Sequence, residues 1–207
     1  MRYKLDYHLL LSVSIIAIMM VFIFINNNNL VLSNNRVIYT YEAINFVEQV
    51  LNNLIDAETS QRGYLLTGKD EYLEPYKRSI KNIGPLLDST EKMLIDNPSQ
   101  TDNIRELNKL VKLKLHELEF SIKVPKSIAI KLVNTDVGKK HMDQIRNKIL
   151  LIKMTENKVL IDRVNNNYNI AKRCLMFFPS LILVHVVLTN ISLGLLFKER
   201  RQSYDNS

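Results

Sequence analysis

A chain of 207 residues with only 5 Gly and 5 Pro is too poor in turn formers for a collagen-like, linker-like or Gly-punctuated all-β protein, and favours helix. Its single cysteine, Cys174, excludes an internal disulfide framework, a Cys-rich zinc site and a haem-attachment pair. Charged residues make up 24% and the formal net charge is +7, yet the mean hydropathy of −0.06 is high for so charged a chain, so the apolar residues must be concentrated somewhere.

They lie in two blocks. Residues 9–25 hold no charge, and only Ser12 and Ser14 are polar; as a helix this block rises about 25 Å, near the lower limit for crossing a hydrocarbon core. Asn26-Asn27-Asn28-Asn29 follows, with no small-x-small cleavage pattern, so an uncleaved anchor is expected rather than a signal peptide. Residues 174–197 are also uncharged and rise about 36 Å, enough to span with some tilt. The second block contains Pro179, His185, Thr189 and Asn190, but its length favours a span over a buried core helix.

Arg2 and Lys4 precede the first block, and Lys198, Arg200 and Arg201 follow the second. The expected topology is therefore a two-pass protein of the cell membrane. Tails 1–8 and 198–207 are expected in the cytoplasm and residues 26–173 outside, although Lys172 and Arg173 oppose this. Most of the +7 falls on the outer region without a dense Lys/Arg run, which reads as a solvated helical surface and not a nucleic-acid footprint.

Between the blocks, apolar residues recur at alternating three- and four-residue steps. The first seam is Val37, Tyr41, Ile44, Glu48, Leu51, Ile55, Glu58, Arg62 and Leu65, stopped by Gly68. The second is Leu73, Tyr76, Ile80, Ile83, Leu87, Thr90 and Leu94, with Pro75 in its first turn and Gly84-Pro85 expected to kink its middle. Asp96-Asn97-Pro98-Ser99 makes a turn. The third seam is Ile104, Leu107, Val111, Leu115, Leu118 and Ile122. The fourth starts near Gly138 and runs through Met142, Ile145, Ile149, Ile152, Glu156 and Val159. Short connections imply an all-α, antiparallel up-down-up-down four-helix bundle flanked by two transmembrane helices. An unbroken helix from 101 to 133 would rise about 50 Å and overshoot a partner of about 32 Å. A break is therefore expected at Pro125, leaving residues 126–134 as a capping piece.

Glu58 and Arg62 stand where Leu or Ile is expected, and charges there need partners. Counting from the helix ends puts Arg62 level with Asp143, and Glu58 level with Arg146, within a few Å at about 1.5 Å per residue. Arg62–Asp143 and Glu58–Arg146 pairs are expected, either as a device fixing register or as a ligand or switch site.

The segment Asp56-Ala57-Glu58-Thr59-Ser60-Gln61-Arg62-Gly63-Tyr64-Leu65-Leu66-Thr67-Gly68, followed by Tyr72-Leu73-Glu74-Pro75-Tyr76, resembles the CHASE type-three family of extracytoplasmic sensory domains. Gly138-Lys139-Lys140-His141-Met142-Asp143-Gln144-Ile145-Arg146 is similar to that family's G-K-x-x-M-D-x-I-R element. Ser60 departs from the family's usual Gly, and Gly84-Pro85 and Pro125 look unusual. The resemblance implies an all-helical input domain between two membrane helices, feeding a histidine kinase, cyclase or chemoreceptor unit. Its motif residues Asp56, Glu58, Thr59, Gln61, Arg62, Gly63, Tyr64, Gly138, Met142, Asp143 and Arg146 are the ligand or switch candidates.

No catalytic, metal or cofactor site is expected, because His8, His116, His141 and His185 are scattered and no Gly-rich phosphate loop occurs. His116 with Glu119 reads as a solvated helix face. Only residues 198–207 follow the second block, so an input module without its own output domain is expected. It would act as a homodimer or mixed dimer in the lipid bilayer, or through a separate histidine kinase or cyclase; the alternative is an orphan remnant with a dimerisation role alone.

Overall fold

A computed structural model describes residues 2–95 and 97–205, with α1 (Arg2–Thr67), α2 (Leu73–Met93), α3 (Thr101–Lys123), α4 (Lys126–Val133) and α5 (Val137–Asp205). Short 3-10 turns cover Asp70–Tyr72 and Pro98–Gln100. No strand occurs among the described residues, so the fold is all-α. Asp96, expected to open a turn, lies outside the described residues, as do the side chains of Arg2, Lys4, Asp6, His8, Glu199 and Asp205 on which part of the topology rests.

The chain forms two compact units, residues 1–35 with 163–207, and Arg36–Asp162. In the first unit, the outer parts of α1 and α5 each contain an 18-residue stretch, of mean hydropathy 2.3 and 2.1, with none of it buried. Leu10, Phe24 and Leu183 are among its exposed apolar side chains. Both helices are long and apolar enough to cross a membrane. They touch through Phe22, which stacks on Phe177 with ring centroids 4.5 Å apart and meets Phe178 edge-on at 6.0 Å. Asn167 Nδ2 also donates to Asn34 Oδ1 at 2.9 Å.

The second unit is a four-helix bundle of α1, α2, α3 and α5. Ala43, Val47, Val50 and Leu54 of α1 meet Ile83 and Leu87 of α2, Ile104, Leu107 and Val111 of α3, and Met142, Ile145, Ile149 and Ile152 of α5. The expected α1 seam is displaced by one residue. Thr40, Ala43, Val47, Val50, Leu54, Ala57 and Gln61 are buried, with Ser60 beside them, whereas Tyr41 and Ile55 are exposed at 58% and 38%; Leu65, at the end of the expected seam, is buried as expected. Small side chains let the neighbouring helices approach closely, and the bulkier ones one step along face outward. On α3 the early seam positions are buried as expected, but Lys114 and Ser121 replace Leu115 and Ile122. The α5 seam is buried from Met142 to Glu156 and continues to Leu160 instead of Val159.

Local signals fix the ends. Gly68 takes φ +72 and its N–H donates to Tyr64 O at 2.7 Å, a left-handed cap that costs a residue without Cβ little. Val124 is extended at φ −91, ψ 160, as its position before Pro125 demands, so α3 and α4 are separate as expected. Lys126 Nζ donates to Leu66 O at 3.0 Å, close to the end of α1. Gly84-Pro85 leaves α2 helical from Leu73 to Met93 with Pro85 inside it, the lost amide donor being tolerated where Ile83 and Leu87 on either side are buried.

Candidate functional site

At the end of the bundle away from the α2–α3 connection, the two motif segments meet through α3. Lys114 occupies a core position and its side chain is only 1% exposed. Its ammonium donates to Glu58 Oε1 at 3.0 Å on α1, Glu117 Oε2 at 3.1 Å on its own helix, and Gly138 O at 3.2 Å in the first turn of α5. Three donors are thus matched by three acceptors. Glu58 also accepts from Arg62 Nη2 at 3.0 Å, and His141 Nδ1 lies 3.6 Å from Glu117 Oε2. One cation therefore ties three helices at one level, with both carboxylates largely withdrawn from water.

Both motif glycines have local reasons. A Cβ on Gly138 would fall well inside contact distance of the Glu117 carboxylate, which Lys114 holds in place. One on Gly63 would sit 2.6 Å from Tyr72 Cδ1, so the 3-10 turn Asp70–Tyr72 could not fold back against α1. Below them Gln61 Nε2 donates to Ser121 Oγ at 2.7 Å, both residues being buried. Ala57, Tyr76 and Leu118 form a small apolar cluster beneath. Burial, and then the Glu119 carboxylate, push the Tyr76 phenol above its ordinary pKa.

The expected cross-helix pairs do not form. Arg62 closes on Glu58 four residues back, and Arg146 on Asp143 three residues back at 2.9 Å. The shifted α1 seam explains this: Glu58 and Arg62 flank the core rather than fill it, and Glu58 faces α3. Asp56, Thr59, Asp143 and Arg146 are exposed, Tyr64 is half-buried, and Met142 is a core residue at 1% exposure. Glu58, Gln61, Gly63 and Gly138 are therefore the candidates that enter the polar interior or its close contacts. Sequence reasoning missed Lys114, Glu117 and His141. The detectable signal was Lys114 on the step series 104, 107, 111, 114, 118, 121.

A second polar knot lies at the α2–α3 connection. Glu156 is 1% exposed and its Oε1 accepts from Asn97 Nδ2 at 2.7 Å and Gln100 Nε2 at 2.8 Å. Neutral amides, not a cation, hold this carboxylate among the described residues. Among these residues no group of three or more His, Cys, Asp or Glu side chains is placed to hold a metal ion.

The class of protein these features define is an all-helical sensory bundle. Among solved structures, the chain is similar to the sensor domain of histidine kinase HK9 from Rhodopseudomonas palustris, at 25% identity and a TM-score of 0.56 over 59% of this chain and 98% of that one. The family profile of the CHASE3 domain matches residues 33–166, and the chain belongs to that family. No curated protein matches it.

Proposed function

We propose that the chain is a membrane-anchored input module. Residues 9–25 and 174–197 span the bilayer, both termini lie in the cytoplasm, and residues 26–173 form the extracytoplasmic sensor. It delivers its signal to a histidine kinase or cyclase partner. The observation that carries this reading is the polar centre in which both family motifs converge on Lys114. Burial of charge gives little net stability but favours one register, since Lys114 reaches Glu58 of α1 and the Gly138 carbonyl of α5 together in only one alignment of the three helices. A stimulus that favours another alignment would move α5 against α1, the small axial shift by which helical sensors switch.

The working unit is a dimer of two copies. Within the bundle α5 turns Leu150, Met154 and Ile161 outward at 56%, 62% and 60% exposure. With Asn157 between them they continue a four-three-four spacing. A parallel pair of copies anchored in one membrane would bring this seam onto its own image across a twofold axis, with Asn157 setting the register. Cysteine at Met154 or Ile161, in a Cys174→Ser background, is expected to give disulfide-linked dimers on oxidation in native membranes, while cysteine at Lys81 on α2 gives little. Equal yields at all three positions, or none at Met154 and Ile161, would remove the α5 interface.

A further inference from the structure

The side of the bundle formed by α2 and α3 carries a groove of about 540 Å³, a volume suited to a small molecule and not to a macromolecule. Its α3 wall presents Arg105, Lys109 and Lys112, spaced four and three residues apart so that they share one helix face. Arg105 is engaged by Asp102 at 2.8 Å, whereas Lys109 and Lys112 have no carboxylate within ion-pair distance among the described residues. The facing α2 wall supplies Glu91, and Leu113 is a half-exposed apolar floor. Asn108 lies between the cations, and its Oδ1 is buried with no hydrogen-bond partner.

We infer that this groove binds a small hydroxylated organic acid. Lys109 and Lys112 take its carboxylate, Glu91 accepts from its hydroxyl, and its carbon chain covers Leu113. Two observations meet here: two cations without counter-charges, and on the facing wall a carboxylate, Glu91, with no ion-pair partner among the described residues. Charge-assisted bonds to the lysines supply most of the attraction, and the hydroxyl supplies selectivity, because a ligand lacking it offers no donor to Glu91 and only sets its apolar end against that carboxylate. Glu91 opposite repels a second negative end, which fixes the direction in which the acid lies. Thr101, at the lower end of the groove, follows Gln100, whose amide holds Glu156 of α5. Occupancy is thereby connected to the helix that carries the second apolar block.

This inference rests on the sensory reading only for its purpose; binding is measured directly, so its failure leaves the dimeric input module to its own crosslinking test. The experiment is calorimetric titration of the full chain in zwitterionic nanodiscs with lactate, propionate and inorganic phosphate as probes. Lactate is expected to bind with a Kd of about 1 mM or below, and propionate about tenfold more weakly. Lys109→Gln with Lys112→Gln is expected to weaken lactate at least about tenfold. Lys126→Gln with Lys131→Gln, outside the groove, leaves it unchanged. Since Lys109 and Lys112 are exposed, an unaltered melting curve shows that the variant is folded. Absence of lactate binding at about 10 mM, binding that survives loss of both lysines, or phosphate binding more tightly than lactate would overturn the assignment.

Discussion

Lys114→Met is expected to destabilise the four-helix bundle by about 3–5 kcal/mol, the range seen when one member of a buried ion pair is removed. Its thermal transition, followed by circular dichroism in nanodiscs, should fall by about 10–20 °C. The size follows from what remains. Glu58 and Glu117, 14% and 13% exposed, would lose the cation between them, and the Gly138 carbonyl would lose its side-chain donor. Arg62 offers Glu58 only modest compensation, because its side chain is 57% exposed and a solvated pair is worth about 0–1 kcal/mol. Combining Lys114→Met with Glu117→Leu should recover a large part of the loss, since it removes a charge and not merely a contact. A melting point unchanged in the single variant would mean that Lys114 does not bind these carboxylates.

The next largest effect is expected at the opposite end. Gln100→Leu should cost about 1.5–3 kcal/mol, the usual range for leaving a buried polar group without its donor and more when that group is charged. Gln100 is wholly buried, and its amide nitrogen reaches Glu156 Oε1 at 2.8 Å and Ile152 O at 3.2 Å. Its own oxygen accepts from Asn103 Nδ2 at 3.0 Å. Leucine fits the volume but strands Glu156 with Asn97 alone. Glu156→Leu in the same background should restore stability, because the stranded charge is then gone. Chemical denaturation of the single and double variants measures both terms, and additive losses would argue against the Gln100–Glu156 bond.

These two knots also mark where the sequence could and could not be read. Helix count, the stop at Gly68, the break before Pro125 and the α5 seam through Met142, Ile145, Ile149 and Ile152 were all legible, because each rests on a local rule or on bulky apolar residues at regular steps. The α1 seam was not. Thr40, Ala43, Ala57 and Gln61 are weak hydrophobic signals, and Tyr41, Ile44 and Ile55 beside them are strong ones, so counting by bulk selected the neighbouring face. That one-step error placed Glu58 and Arg62 in the core and directed them to α5. In the structure Glu58 turns to α3, where a single lysine at a core step is indistinguishable by composition from a solvated one. The α3 spacing marks Lys114 as a core position, but which helices converge on it is a tertiary fact that no one segment carries.

Burial of charge on either side of an apolar middle has a physical reading that links the fold to its proposed role. Leu and Ile contacts tolerate small sliding, because their attraction is non-directional. The Lys114 and Glu156 clusters are stricter, since a shift along α5 would break the bond from Lys114 to the Gly138 carbonyl and part Glu156 from Asn97 and Gln100. Stability along the middle and strict register at the ends suit a module whose output is a displacement of one helix against another.

Sided labelling of single-cysteine chains tests the central claim, an outer sensory bundle on two membrane spans, most directly. In a Cys174→Ser background, cysteine at Lys69, exposed beyond the α1 cap, is expected to react with a membrane-impermeant maleimide in intact cells. Cysteine at Arg201 is expected to react only after the membrane is opened. Reaction at Arg201 in intact cells with protection of Lys69, or equal reaction of both before and after opening, would contradict the account.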